Sequence, residues 1–543
     1  MIQEMDLMEI FYWFHRHPEL SYEEYDTTAQ IKKLLKAADV KILPIPMETG
    51  LIAEVKGEKD GPVQALRCDI DALPITELTD LPYASKCPGK MHACGHDFHI
   101  TAGIGTAIWL QEHKDELCGT VRFFFQPGEE SSLGAWKVLE TTALDSVTRV
   151  WGFHSDPTNL VNAIGIREGD KVTICMPNAP QTLCMFYAVN MVGAIANMVH
   201  PLSAESEISF YLRDSNSVAA ITLDQFYPKF ESVRKTVDLP CLIVTSVADE
   251  LKPLLRVGYQ LTEGRKNPKI PAGRAGVLSW KEFLRRGEYV EIYQVRRKAE
   301  DPAAILYSGG TTGTTKGIVL TNGNFNALGQ QIIATNPMFR PGDKMLAAMP
   351  LFHGFGLGVC VHSMLANGGR CILIPRFTAK SYAKQIVKYR CNFIAGVPTL
   401  YEALLRLPSM DNADLSSLKG VFSGGDSLSI ELKKKFDKFL YDHKAVIQVR
   451  EGYGTTETVT ACCLTPTNIY KEGSIGLPFP DTYIKIVKPD TDEEVPYGEE
   501  GEILLAGPTV MKEYMNNPEE TARTLRKHAD GLTWVYTGDL GTM

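Results

Sequence analysis

Two groups of residues in this chain have the types and spacing of reaction sites. Towards the N-terminus, His92-Ala-Cys-Gly-His-Asp-Phe-His99 offers a thiol at Cys94 and an imidazole at His96, with Glu129, Glu130 and His154 following downstream. Cys94, His96, Glu130 and His154 form a mixed S/N/O donor set suited to zinc or manganese. Glu129 has the chemistry of a general base, because a metal-polarised water must still surrender its proton. Taken singly, any of these residues reads as a hydrogen-bonded loop residue. Further along, Tyr307-Ser-Gly-Gly-Thr-Thr-Gly-Thr-Thr-Lys-Gly317 is a Gly/Ser/Thr loop whose backbone N–H groups and hydroxyls could meet phosphate oxygens, with Lys316 as countercharge. It is not a Walker loop, which needs Gly before the Lys and Ser or Thr after it, whereas Thr315 and Gly317 flank Lys316. Alone, it could be a flexible hairpin.

The elements that must position these groups follow from periodicity. Both parts of the chain alternate short β-rich runs with helical stretches, which predicts an α/β fold. In the first part the runs are Val63–Arg67, Val121–Phe125 and Arg149–Phe153; Asp69 and Asp71 follow the first, Glu129 and Glu130 the second, and His154 closes the third. Open α/β sheets carry their sites at the carboxyl ends of strands, so these groups are expected to converge. From Lys171 onward the runs are Val172–Cys175, Ala304–Tyr307, Lys344–Ala348, Cys371–Ile374, Phe393–Val397 and Val446–Val449. Towards the end, hairpin-like runs Tyr483–Val487 and Glu502–Ala506 predict a smaller, β-rich subdomain. The expected division is 1–158, 159–470 and 471–543, in keeping with ~100–200 residues per domain.

Composition narrows the function classes. The 543 residues are 44% hydrophobic and 22% charged, the make-up of a globular chain rather than a disordered or fibrous one. A net charge of −9 argues against nucleic-acid binding, which needs a surplus of Lys and Arg. The best basic stretch, Arg256 to Lys298, reads as a solvated surface. Glu4, Asp6 and Glu9 occupy the place where a secretory signal needs a basic start, and no run offers ~20 uninterrupted apolar residues for a membrane span. Twelve cysteines without a C-x-x-C pair fit free thiols in a reducing cytoplasm.

Four motifs in the first part stand in a telling order: Arg67-Cys-Asp-Ile-Asp-Ala-Leu-Pro74, His92–His99, Gln126-Pro-Gly-Glu-Glu130 and Gly152-Phe-His-Ser-Asp-Pro157, preceded by Arg16-His-Pro-Glu-Leu20. Over about residues 5–158 this resembles the metal-dependent amidohydrolases of the aminoacylase, hippurate hydrolase and auxin-conjugate hydrolase family. The resemblance implies a partial three-layer metallopeptidase-like α/β domain acting on N-acyl amino acids. It also implies Cys94, His96, Glu130 and His154 as zinc or manganese ligands and Glu129 as catalytic base. That family continues into a dimerisation domain and a further histidine ligand, which do not follow here. The sheet edge near Val150 and Phe153 is therefore expected to self-associate.

Beyond Asn159 the motifs change. The phosphate-type loop is followed by Met349-Pro-Leu-Phe-His-Gly354, Gly396-Val-Pro-Thr399, Phe422-Ser-Gly-Gly-Asp426, Glu451-Gly-Tyr-Gly-Thr-Thr-Glu-Thr458, Gly473-Ser-Ile-Gly-Leu-Pro478 and Tyr536-Thr-Gly-Asp539. From about Gly165, beginning at Arg167-Glu-Gly-Asp-Lys-Val172 and Met176-Pro-Asn178, the chain resembles the adenylate-forming superfamily and most closely its acyl-CoA synthetases. The resemblance implies that a carboxylate attacks ATP, pyrophosphate leaves, and the thiol of CoA takes the acyl group. It assigns the β- and γ-phosphates to Ser308, Gly309, Gly310, Thr311, Thr312, Gly313, Thr314, Thr315 and Lys316, the α-phosphate to Thr456, and Mg²⁺ to Glu457. Gly424, Gly425 and Tyr453 would bind adenine, with Gly454 and Thr455 beside them; Asp539 would hold the ribose and His353 would flank the acyl pocket. The family's C-terminal swinging domain would follow Asp539, so MgATP binding is expected to exceed catalysis in this sequence. The two resemblances meet between Pro157 and Gly165 without a linker.

Overall fold

The computed structural model describes residues 7–543 except 78, 80, 132–133, 153–160, 162, 252, 271–272, 288–294, 310–314 and 468. The chain divides into two compact units, Met1–Asp156 and Pro157–Met543.

In the first unit the described strands form one mixed sheet in the order Lys41–Ile42, Leu51–Lys56, Cys118–Gln126, Lys59–Asp69, Val147–Gly152. Lys59–Asp69 runs parallel to both of its neighbours, so Asp69, Gln126 and Gly152 leave the sheet at one edge. The helix His96–Glu112 buries Ile100, Ile104, Ala107 and Ile108 against Phe123, Phe125 and Cys68. The helix starts where the chemistry needs it to start. Gly95 stands at its N-terminus with φ 80°, a left-handed conformation that costs glycine nothing, and so Cys94 and His96 can lie on either side of a sharp turn.

Among its described residues the second unit contains three sheets. The described strands of the first run Val277–Ser279, Cys241–Thr245, Ala219–Leu223, Lys171–Cys175, Ile195–Met198, Pro302–Gly309, Thr315–Thr321, Glu513–Tyr514; all pairings are parallel except the last two. The second begins with five parallel strands, Arg370–Leu373, Lys344–Ala347, Phe393–Gly396, Gly420–Ser423 and Val449–Tyr453, and ends in two short antiparallel ones. Their inner strands are nearly continuous apolar runs because both faces are covered, as in Ala219–Leu223, which is buried throughout. The last sheet is antiparallel and joins Tyr483–Val487, Glu500–Ala506, Thr533–Thr542 and Leu525–Lys527. The fold is thus α/β throughout, with a small β-rich region at the end.

One expected strand is displaced. Val446–Val449 was predicted extended from its apolar spacing, but the strand is Val449–Tyr453, and Val446 is 90% exposed. The strand hides from periodicity because buried Arg450 breaks its apolar run. The third strand of the first unit ends at Gly152; Phe153 and His154 lie outside the described residues. Among the described residues no helix is long and apolar enough to cross a membrane.

Candidate functional site

In the first unit Cys94, His96 and Glu130 come together with their ligand atoms within 4.8 Å of one another. Asp71 organises them. Its carboxylate accepts from the backbone N–H groups of Glu129 (3.0 Å) and Glu130 (2.9 Å) and from the Ser21 hydroxyl (2.6 Å). His96 Nδ1 lies 2.8 Å from the Asp71 backbone oxygen, which turns Nε2 towards the donor cluster. His96 Nε2 and Glu130 Oε1 are both buried without a hydrogen-bond partner. Orphaned atoms of this kind, beside a thiol, fit a divalent metal of zinc type. Burial opposes charging His96, but the neighbouring Asp71, Cys94 and Asp69 outweigh it and lift the imidazole to about 11. Burial also pushes the Glu130 carboxyl up. A bound cation reverses both tendencies, because it favours a neutral imidazole and an ionised carboxylate. Glu129, the expected base, is more open: its carboxylate stands 3.7 Å from His96 Nε2 and 3.7 Å from the Arg67 guanidinium.

In the second unit a cavity of ≈490 Å³ gathers Ser308, Lys316, His353, Gly425, Gly454, Thr455, Thr456, Glu457 and Asp539. The phosphate-type segment is a hairpin: Ser308 pairs with Lys316 and Gly309 with Thr315, while its tip, Gly310, Thr311, Thr312, Gly313 and Thr314, lies outside the described residues. Thr456 and Glu457 form a single 3-10 turn just after the strand that carries Tyr453. Gly425, at φ +77°, lets the chain turn off the strand end and lines both the cavity and a narrow apolar slot of ≈50 Å³. Gly424 lines the slot, together with Phe355, Val359, Phe422 and Leu464.

Several polar groups at the cavity are already engaged with one another, whereas the Thr455 and Thr460 hydroxyls are buried without a partner. The Tyr453 hydroxyl donates to Asp539 Oδ2 (2.6 Å), and the Tyr514 hydroxyl donates to Glu457 Oε1 (2.7 Å). Lys316 is ion-paired with Glu520. Burial lowers the His353 imidazole below its ordinary value, so it is neutral at physiological pH. Its Nδ1 accepts from the Phe355 N–H at 3.2 Å. Carboxylate and hydroxyl oxygens of Glu457 and Thr456 are the hard donors that Mg²⁺ prefers. Tyr514, Glu520 and Arg523 were not found from the sequence. They lie beyond the apolar strand Glu500–Ala506, and no motif marks them.

The part of this cavity from Ser308 to Tyr514 lies where a family model matches. The match is to the AMP-binding enzyme family and covers residues 159–515. The chain belongs to that family. The chemistry of these adenylate-forming ligases uses ATP and CoA. This AMP-binding enzyme is 35% identical over 386 residues to a long-chain-fatty-acid–CoA ligase of Bacillus subtilis, a stretch that is 70% of this chain and 66% of the relative. Its N-terminal region is similar to an N-acetylcysteine deacetylase of Bacillus subtilis, 54% identical over 156 residues, which make up 28% of this chain and 41% of the relative. The chain therefore spans about two thirds of the length of the ligases it matches and about two fifths of the deacetylase. In fold it is similar to the N-terminal domain of FACL13 from Mycobacterium tuberculosis, with TM-score 0.57 and 24% identity, covering 71% of this chain and 87% of that one. The two parts of the chain are thus similar to different proteins.

Proposed function

We propose that the second unit activates a small-molecule carboxylate with MgATP and passes the acyl group to CoA, with a fatty acid as the class of acid. The observation that carries this reading is the convergence of Lys316, Thr456, Glu457 and Asp539, spread over more than two hundred residues, on one cavity. ATP supplies the electrophilic α-phosphorus and pyrophosphate as leaving group. Lys316, with Thr315 and Ser308 beside it, supplies a cation and donors for the outer phosphates. Thr456 faces the α-phosphate and Glu457 carries the carboxylate for Mg²⁺. Tyr453, with Gly424, Gly425, Gly454 and Thr455, borders the place for adenine, and Asp539 accepts from the ribose. Neutral His353 cannot neutralise the incoming carboxylate, which keeps that oxygen nucleophilic. Such groups act by holding nucleophile and leaving group in line and spreading charge. The AMP-binding part is 159–470, with 471–543 as its β-rich subdomain.

The first unit supports a second reading, a divalent metal site of the N-acyl amino acid hydrolase type. Cys94, His96 and Glu130, with His154, would hold zinc or manganese, and Glu129 would take the proton of the attacking water. None of the twelve cysteines, all described, is in a disulfide, which supports a reducing cytoplasm. The exposed edge strand Val147–Gly152 is the surface for self-association.

The test incubates the full chain with ATP, labelled pyrophosphate and a panel of carboxylates of increasing chain length. Carboxylate-dependent exchange is expected; its absence across the panel refutes the first reading. Release of free amino acid from N-acyl substrates after zinc addition tests the second.

A further inference from the structure

The cavity of the second unit has a charge problem. Five carboxylates line it, Glu457, Asp490, Glu502, Glu520 and Asp539, against three cations, Lys316, Arg523 and Arg526. A polyanionic ligand must enter a space whose own described lining is net negative. Glu520 is the acid that bears most directly on this. Its carboxylate pairs with Lys316 and also accepts from Arg523 Nη2 at 2.7 Å. One acid therefore occupies two of the three cations. The Lys316 and Glu520 side chains are only 14% and 15% exposed, so water screens this pair little. Both partners are held in place. Lys316 lies in the strand Thr315–Thr321, with its ammonium 5.1 Å from the Tyr514 ring centroid. Glu520 sits in the first turn of the helix Pro518–Thr524, where its N–H donates to Asn517 Oδ1 at 3.1 Å.

We propose that Glu520 is an internal competitor for the nucleotide phosphates: it neutralises Lys316 and Arg523 in the ligand-free chain and must be displaced when a nucleoside triphosphate binds. The proposal rests on the reading of this cavity as a nucleotide site. Displacement has a consequence beyond affinity. Tyr514 packs under Lys316 and donates to Glu457, so movement of the Lys316 ammonium is felt at the carboxylate assigned to Mg²⁺. A binding-competent state populated in about one molecule in ten lowers apparent affinity about tenfold. Removing the competitor removes that factor.

A competitor and a structural brace predict opposite signs. If Glu520 merely braces the helix against the strand, neutralising it weakens nucleotide binding. If it competes, neutralising it strengthens binding. The experiment measures the MgATP dissociation constant by calorimetry on the full chain and its Glu520→Gln, Glu520→Asp and Lys316→Met variants, with a thermal melt of each. The dissociation constant is expected to fall about 5- to 10-fold in Glu520→Gln, stay near wild type in Glu520→Asp, which keeps the charge, and rise in Lys316→Met. Adding Glu520→Gln to Lys316→Met should recover much less than the gain seen on wild type. If Glu520→Gln fails to fold, Glu520→Ala carries the same expectation. Wild-type binding with no gain in a folded neutral variant overturns the proposal alone. Absence of MgATP binding in both wild type and neutral variant overturns the nucleotide reading and the proposal with it.

Discussion

Arg450→Met should destabilise the second unit by about 3 kcal/mol, and the structure supplies the terms. Arg450 is 8% exposed and rises from the strand Val449–Tyr453 into the interior. Its guanidinium donates to Thr465 O (2.7 Å), Thr335 O (3.1 Å) and Asn336 Oδ1 (2.8 Å). Burial brings its pKa down to about 10, so the group is still charged at neutral pH. Its hydrogen-bonding acceptors are uncharged, and hydrogen bonds rather than an ion pair hold the cation. Methionine keeps most of the apolar stem, and the packing lost is chiefly the guanidinium 5.8 Å over the Phe422 ring. Three hydrogen bonds go, each worth about 1 kcal/mol net and more where the abandoned acceptor stays dry. Release of a desolvated cation returns part of this. With a urea m-value of about 3 kcal/mol/M, the midpoint should drop by ~1 M at unchanged m. Hydrogen exchange of peptides covering 445–470 during urea unfolding reads this unit separately from the first. A midpoint shift below about 0.2 M would refute the reasoning, since water would then replace the guanidinium without cost.

Asp71→Asn should lower zinc affinity of the first unit about 10- to 100-fold, because it weakens the carboxylate's hold on the Glu129 and Glu130 backbone and removes the negative charge 3.3 Å from His96 Nδ1; chelator competition measures this, and unchanged affinity would contradict it. Glu457→Ala should abolish most of the Mg²⁺ dependence of ATP binding, and calorimetry with and without Mg²⁺ would show it. His15, 2.5 Å from Asp97 and 3.1 Å from Glu77, has its pKa raised, first by Asp97 and against the effect of burial. A raised folded value means the contribution is full below the unfolded pKa of about 6.5 and lost as pH rises through the folded one. Accordingly His15→Gln should cost the first unit more stability at acidic than at alkaline pH, as denaturation midpoints across that window would show. Trp151, 54% exposed on the edge strand Val147–Gly152, should drive association, so Trp151→Lys should shift the sedimenting species towards monomer.

Much of the fold was readable because both faces of the sheets in the second unit are covered. Runs such as Val172–Cys175 and Phe393–Val397 carry enough apolar residues to declare themselves, and the observed strands Lys171–Cys175 and Phe393–Gly396 differ from them by one residue at an end. Where a strand carries buried charge, periodicity fails: Val449–Tyr453 was displaced because Arg450 looks like a surface residue until Thr465, Thr335 and Asn336 are seen around it. Cys94 and His96 were legible as a pair because a single glycine turn separates them, so proximity in sequence is proximity in space. Asp71 was visible as a strand-end acid, but its hold on two backbone N–H groups nearly sixty residues away was not.

The same division separates reacting groups from orienting groups in both units. Residues that present atoms to a substrate lie in short contiguous motifs, because a turn or a strand end must deliver several of them at once. Residues that orient them are set by whichever distant element happens to pack there: Ser21 and Asp71 for the Glu129–Glu130 turn, Tyr514 for Glu457, Glu520 for Lys316. Their side chains face a constraint of position rather than of chemistry, so more than one residue type can satisfy it, and no fixed spacing records it. Affinity and charge balance can therefore shift through Glu520 or Tyr514 while every motif stays intact. Two chains with the same Ser308–Lys316 loop and the same Thr456–Glu457 turn can differ in how readily the cavity accepts a triphosphate, and the difference is written in residues that no motif contains.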